Sequence, residues 1–107
     1  MSKSIALLND RFRQGDTSLG IVVMTPKVRA LTFEKRTKLM ELVKGCLWFG
    51  TECNEPKNER NFGGVTLGKG YYWQIDYYDL SLTQASVDPA NPNVTKRVMT
   101  LMQEDEY

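Results

Sequence analysis

The chain has 107 residues, of which 41% are hydrophobic and 25% charged, values of an ordinary globular protein that point to a single domain over residues 1–107. Fourteen basic and thirteen acidic residues leave a net charge of +1, which argues against a polybasic nucleic-acid binder and against an acidic DNA mimic. Histidine is absent, so the usual general base near neutral pH, the commonest metal ligand and the Ser-His and Cys-His nucleophile pairs are all excluded.

The charge is nonetheless polarised along the chain. Residues 1–50 carry nine Lys/Arg against four acids, and residues 51–107 carry five against nine. Unless the halves interleave in space, one positive and one negative face result. Two cysteines, Cys46 and Cys53, are too few for a disulfide framework and lack zinc-site spacing. Their use, together with an apolar stretch at Ile5–Leu8 too short for a signal-peptide core, predicts a reduced cytoplasmic protein without a membrane span.

Ile5, Leu8 and Phe12 recur at helical spacing, with Asp10, Arg11 and Arg13 on the wet side, and Gly15 supplies a stop. Gly20–Thr25 is a β-branched run closed by Pro26 and predicts a strand covered or nearly covered on both faces. Thr32 caps a second helix to Lys44, whose apolar stripe is Leu39, Leu42, Val43 and Cys46. Leu47-Trp48-Phe49 is an apolar patch that needs cover, and Thr51–Arg60 is a polar connection.

Asn61–Asp79 predicts a hairpin. A turn at Gly68-Lys69-Gly70 pairs Leu67 with Tyr71, Val65 with Trp73 and Gly63 with Ile75, which puts the large apolar side chains on one face. The other face then holds Phe62, Gly64 and Thr66 against Tyr72, Gln74 and Asp76. Asp88-Pro89 and Asn91-Pro92 mark turns, and Val94, Val98, Leu101 and Met102 suggest a last helix. Three acids near that helix's C-terminus oppose its dipole, so the tail is expected to fray. The resulting order, α-β-α-β-β-α, predicts an α+β fold with a small, mostly antiparallel sheet of three or more strands packed against helices.

Leu8-Asn9-Asp10-Arg11-Phe12-Arg13, Phe62-Gly63, Ile75-Asp76-Tyr77-Tyr78-Asp79, Asp88-Pro89-Ala90, Arg97-Val98 and Glu106-Tyr107 together resemble domain-of-unknown-function family 3768. The loop Gly50–Glu59 departs from that pattern. The resemblance implies a small accessory protein of bacterial plasmids, phages and other mobile elements, and it transfers no catalytic residue.

Asp76 and Asp79 are the first place to look for acid-base or metal chemistry, with Arg11 or Arg60 as electrostatic partner. Positions i and i+3 of a strand point to opposite faces, however, and Asp79 suits a turn cap. Tyr71, Trp73 and Tyr77 read as core, while Tyr72 and Tyr78 read as amphipathic cover or a stacking platform for bases, which the carboxylate of Asp76 opposes. Gly63-Gly64, Gly68 and Gly70 lack the Lys-Ser/Thr and the helix of a phosphate loop, and Cys46 reads as a small buried hydrophobe.

The leading expectation is a non-enzymatic protein-binding accessory protein without cofactor or metal. It would occupy the surface of another protein, with a host defence complex such as a CRISPR or restriction assembly as a specific candidate. Its binding residues would be Phe62, Tyr72, Gln74, Asp76, Tyr78 and Asp79. The alternatives are a carboxylate- or metal-dependent enzyme on a phosphorylated or nucleotide substrate, and a weak nucleic-acid-binding module using Arg29, Lys35, Arg36 and Lys38.

Overall fold

The structure, a computed structural model, describes residues 2–46 and 59–107. The patch Leu47–Phe49, Cys53 and most of the connection Thr51–Arg60 lie outside the described residues. Helix α1 spans Ser2–Arg13, strand β1 Gly20–Met24, the short helix α2 Pro26–Arg29, and helix α3 Phe33–Lys44. Strands β2 (Phe62–Leu67), β3 (Lys69–Tyr78) and β4 (Lys96–Gln103) follow, and a 3-10 turn over Glu104–Glu106 precedes Tyr107.

The four strands form one sheet in the order β1-β4-β3-β2, antiparallel except for the parallel pair β1 and β4. The fold is therefore α+β with a mostly antiparallel sheet. One face carries Gly63 and Val65 of β2, Tyr71, Trp73, Ile75 and Tyr77 of β3, Arg97, Met99 and Leu101 of β4, and Val22 and Met24 of β1. Leu8 and Phe12 of α1 and Leu39 and Val43 of α3 close over it with Val28 of α2 to form the core. Thr32 caps α3 by accepting from the Lys35 amide at 3.2 Å, and Cys46 is buried, both as the sequence indicated.

Several expectations are corrected. The segment expected as a last helix is the central strand β4. Val98, Leu101 and Met102 fit a helical period, but the operative pattern is the alternation Arg97, Met99, Leu101, and a charged residue at its first position disguised it. Strand β1, expected to be covered or nearly covered on both faces, is an edge strand with Ile21, Val22 and Val23 all exposed, because it pairs on one side only, with β4, which takes the interior place between β1 and β3. The tail does not fray. The Glu106 carboxylate accepts from the Thr25 hydroxyl at 2.5 Å, the Gln103 amide at 2.9 Å and the Lys27 amide at 3.1 Å, so it caps the start of α2.

The hairpin register is also shifted by two residues. Gly63 pairs with Trp73, Val65 with Tyr71 and Thr66 with Gly70, around a turn centred on Gly68 at φ 77°. A slip of two preserves which residues share a face. The observed register matches the bulkiest side chain with the smallest: a Cβ on Gly63 would lie 2.5 Å from the Trp73 ring.

Arg13, expected on the wet side of α1, is buried and donates to the Val43 and Lys44 carbonyls at 2.9 and 3.0 Å, stacking over Trp73 at 5.3 Å. It thereby satisfies the C-terminal carbonyls of α3. A second arginine on this face is also buried. Arg97 is fully buried and donates from Nε to Asn9 Oδ1 at 2.7 Å and from Nη2 to the Pro89 carbonyl at 2.7 Å, with its guanidinium 5.1 Å over the Tyr77 ring. Asn9 Nδ2 donates in turn to the Tyr77 hydroxyl at 2.8 Å and to the Glu59 carbonyl at 3.0 Å, and the Tyr77 hydroxyl donates to Glu59 Oε1 at 2.8 Å.

Two stability predictions follow from this packing. Gly63→Ala drives a methyl group into the Trp73 ring and is expected to lower unfolding free energy by about 1–3 kcal/mol in urea titrations. Asn9→Ala leaves the buried Arg97 Nε without its acceptor and removes the donor to the Tyr77 hydroxyl, and is expected to cost about 1–3 kcal/mol by the same measurement.

Candidate functional site: an uncovered sheet face

The second face of the sheet carries no helix among the described residues. Alternation places there Phe62, Gly64 and Thr66 of β2, Tyr72, Gln74, Asp76 and Tyr78 of β3, Lys96, Val98, Thr100 and Met102 of β4, and Ile21 and Val23 of β1. Most of these side chains are half-buried, and Ile21 and Val23 are exposed.

An aromatic cluster organises one end. The Phe62 ring lies 5.3 Å from that of Tyr72 and 5.4 Å from that of Tyr107, and Tyr72 and Tyr107 meet edge-on at 5.3 Å. Tyr107 reaches this position because the turn Glu104–Glu106 folds the chain back from the end of β4. It is 73% exposed, so it forms the outer wall of the cluster rather than a buried plug. The far end is polar: Asp76 stands opposite Val98, Tyr78 opposite Lys96, and Gln74 Nε2 approaches Asp76 Oδ1 at 3.5 Å.

Five of the six residues expected to bind a partner, Phe62, Tyr72, Gln74, Asp76 and Tyr78, therefore share this face. Asp79 does not join them. Its carboxylate accepts from the Ser81 hydroxyl at 2.9 Å, the Thr83 amide at 3.0 Å and the Thr83 hydroxyl at 3.3 Å, and these bonds, the Thr83 amide foremost, hold its pKa below the ordinary value. Asp79 is the cap of its own turn, as its position after the strand suggested.

The arginines considered as electrostatic partners are engaged elsewhere. Arg11 pairs with Asp16 at 2.7 Å, and Arg60 grips both oxygens of Asp10 in a fork whose closest approach is 2.6 Å. No group of three or more metal-ligating side chains occurs among the described residues. Of the four basic residues considered for nucleic acid, Arg29, Lys35 and Lys38 are exposed, and Arg36 donates to the Arg29 and Leu31 carbonyls at 2.7 and 2.9 Å and closes the end of α2. The two oppositely charged halves of the chain partly interleave, through Arg60 with Asp10 and Lys27 with Asp105.

Sequence reasoning missed Tyr107, Val98, Thr100, Lys96, Met102, Ile21 and Val23 as members of the face. Recognising β4 as a strand would have supplied the four from β4 by alternation. Nothing in the sequence places Tyr107.

The match of residues 24–106 to the family model described as "Protein of unknown function (DUF3768)" covers most of the chain. The chain belongs to the DUF3768 family. The DUF3768 match takes in all of β2, β3 and β4, and hence the hairpin with Phe62 and Tyr72, while Tyr107, Ile21, Val23 and helix α1 with its Leu8–Arg13 motif lie outside it. No curated protein and no solved structure matches the chain. No helix among the described residues is long and apolar enough to cross a membrane.

The carboxylates at the rim of the sheet give the fold an acid-sensitive edge. Asp105 is held below its ordinary pKa by Lys27, and Glu106, pushed up by desolvation, is drawn down further by the Thr25 hydroxyl and the Gln103 and Lys27 amides. A depressed folded-state pKa contributes stability that is present above the unfolded values of 3.8 for Asp and 4.5 for Glu and is lost as pH falls through the lower folded values. Melting temperature is therefore expected to fall on acidification below about pH 4.5, and Glu106→Gln to flatten that dependence in thermal scans against pH.

Proposed function

We propose that this DUF3768 protein is a non-enzymatic binding protein that acts by seating its uncovered sheet face on another protein. The observation that carries this reading is the Phe62–Tyr72–Tyr107 cluster, a raft of large rings left half-open at one end of a face that carries exposed Ile21 and Val23 on its opposite edge strand and Asp76, Tyr78 and Lys96 at its polar end. Aromatic anchors with a polar rim are the composition of protein interfaces, where desolvation of the rings provides the affinity and the rim sets orientation. A single-stranded nucleic acid fits less well, since Lys96 is the one cation on the described face and Asp76 would repel phosphates. The mobile-element setting implied by the family resemblance makes a bacterial defence complex, of CRISPR or restriction type, the first class of partner to offer.

In capture experiments from bacterial lysates containing such complexes, the wild-type chain is expected to retain a discrete protein complex in moderate salt. Tyr72→Lys is expected to weaken capture about 30-fold, the scale of an interface hot spot of about 2 kcal/mol, while Lys35→Glu leaves it unchanged. Capture of nothing by the wild type, or capture indifferent to Tyr72, would overturn the reading.

A further inference from the structure

Strand β1 has the properties of an open pairing edge. It borders the sheet, with β4 on one side and no strand on the other among the described residues. The sequence Gly20–Met24 contains no charge, proline or bulge, the devices by which edge strands normally prevent pairing. Three consecutive β-branched residues, Ile21, Val22 and Val23, stand 38, 39 and 38% exposed. The opposite edge differs. Strand β2 contacts α3, and the Cys46 thiol lies 3.7 Å from the Gly64 carbonyl.

The direction of the free hydrogen-bonding groups follows from the parallel pairing with β4. The Thr25 amide donates to the Leu101 carbonyl at 3.1 Å, so alternation turns the backbone groups of Ile21 and Val23 toward β4 and those of Gly20, Val22 and Met24 toward the free edge. On the helix side this edge borders a groove of about 500 Å³ whose apolar lining includes Phe12, Val22, Met40 and Met99.

We propose that β1 pairs antiparallel with β1 of a second copy of this chain, about a twofold axis at Val22, to join two four-stranded sheets into one. The occupant is a second copy because the edge is self-complementary. About that axis the outward amide and carbonyl of Val22 bond to those of Val22 in the other copy, and Gly20 meets Met24. On the open face Ile21 packs beside Val23 of the second copy, and an uncharged strand meets its own image without like-charge repulsion. The antiparallel arrangement also brings the Asp16-Thr17-Ser18 turn of one copy beside Pro26-Lys27 of the other, and because Asp16 and Lys27 are paired with Arg11 and Asp105 of their own chain, these ends meet as neutralised pairs without like-charge repulsion. In the joined sheet the two aromatic faces lie on the same side and form one extended surface.

Two five-residue strands and their flanks make an interface small beside the roughly 1,200 Å² of stable complexes, so association is expected at about 10–100 μM. Sedimentation of the wild-type chain across that range is expected to show mass rising from the 12.3 kDa monomer toward the dimer. Val22→Pro removes an outward amide, as an edge strand tolerates, and Val22→Lys places two cations across the axis. Each is expected to remain monomeric at least about tenfold higher in concentration. Amide exchange provides a readout that needs no variant: the Val22 and Met24 amides should slow as wild-type concentration rises, while Ile21 and Val23, already bonded to β4, stay unchanged. A wild-type chain monomeric throughout the range, or a dimer indifferent to both substitutions with Val22 exchange independent of concentration, would overturn the proposal. Tyr72→Lys lies away from this edge and retains dimerisation, which separates this result from the partner-binding experiment.

Discussion

A fully buried guanidinium on an interior strand of the sheet is the constraint around which the molecule is arranged. Burial makes the charged form of Arg97 expensive and pulls its pKa below the ordinary arginine value. The surroundings answer with the amide oxygen of Asn9, the carbonyl of Pro89 and the face of the Tyr77 ring. Those partners come from α1, from the connection between β3 and β4, and from β3. One side chain thus fixes where a helix, a loop and two strands meet. Desolvation is also the first cause of the raised pKa of Tyr77, so its hydroxyl stays protonated and can donate to Glu59.

All of these contacts lie on one side of the sheet. Arg13 extends the same polar seam to the end of α3, and Trp73 lies between that arginine and Gly63. With α1, α2 and α3 committed to this side, the other face carries, among the described residues, strand side chains and the folded-back Tyr107. The aromatic raft is a consequence of where the helices were spent, and the exposed β1 edge follows from β4 taking the interior position. The molecule thereby presents two kinds of open surface: the ring-rich face and the β1 edge.

How much of this could be read in the sequence depended on whether apolar residues marked the buried positions. The hairpin was legible because Tyr71, Trp73 and Ile75 alternate with Tyr72, Gln74 and Asp76, and the assignment of faces survived a register error of two. Helix α3 was legible from its Thr32 cap and its stripe. Strand β4 was not, because Arg97 occupies a core position while apolar Val98 and Met102 lie on the other face, which blurs the difference between a two-residue and a helical period. Arg13 misled for the same reason: a charged residue was assigned to water, whereas here it closes a helix end. The α2 turn and the seating of Tyr107 depend on Glu106 reaching back across the sheet to Thr25 and Lys27, a contact far apart in the chain that local pattern cannot reveal.

The central claim is that the sheet is two-sided, with one face sealed over the Arg97 and Arg13 seam and the other open to solvent. Hydroxyl-radical footprinting of the intact protein tests it most directly, because adjacent residues of β3 serve as internal controls. The account predicts oxidation at Tyr107, Tyr72 and Phe62 with protection of Tyr71 and Trp73, whose exposures are 4 and 0%. Equal protection of Tyr72 and its neighbours Tyr71 and Trp73 would mean that the second face is covered, and would contradict the account.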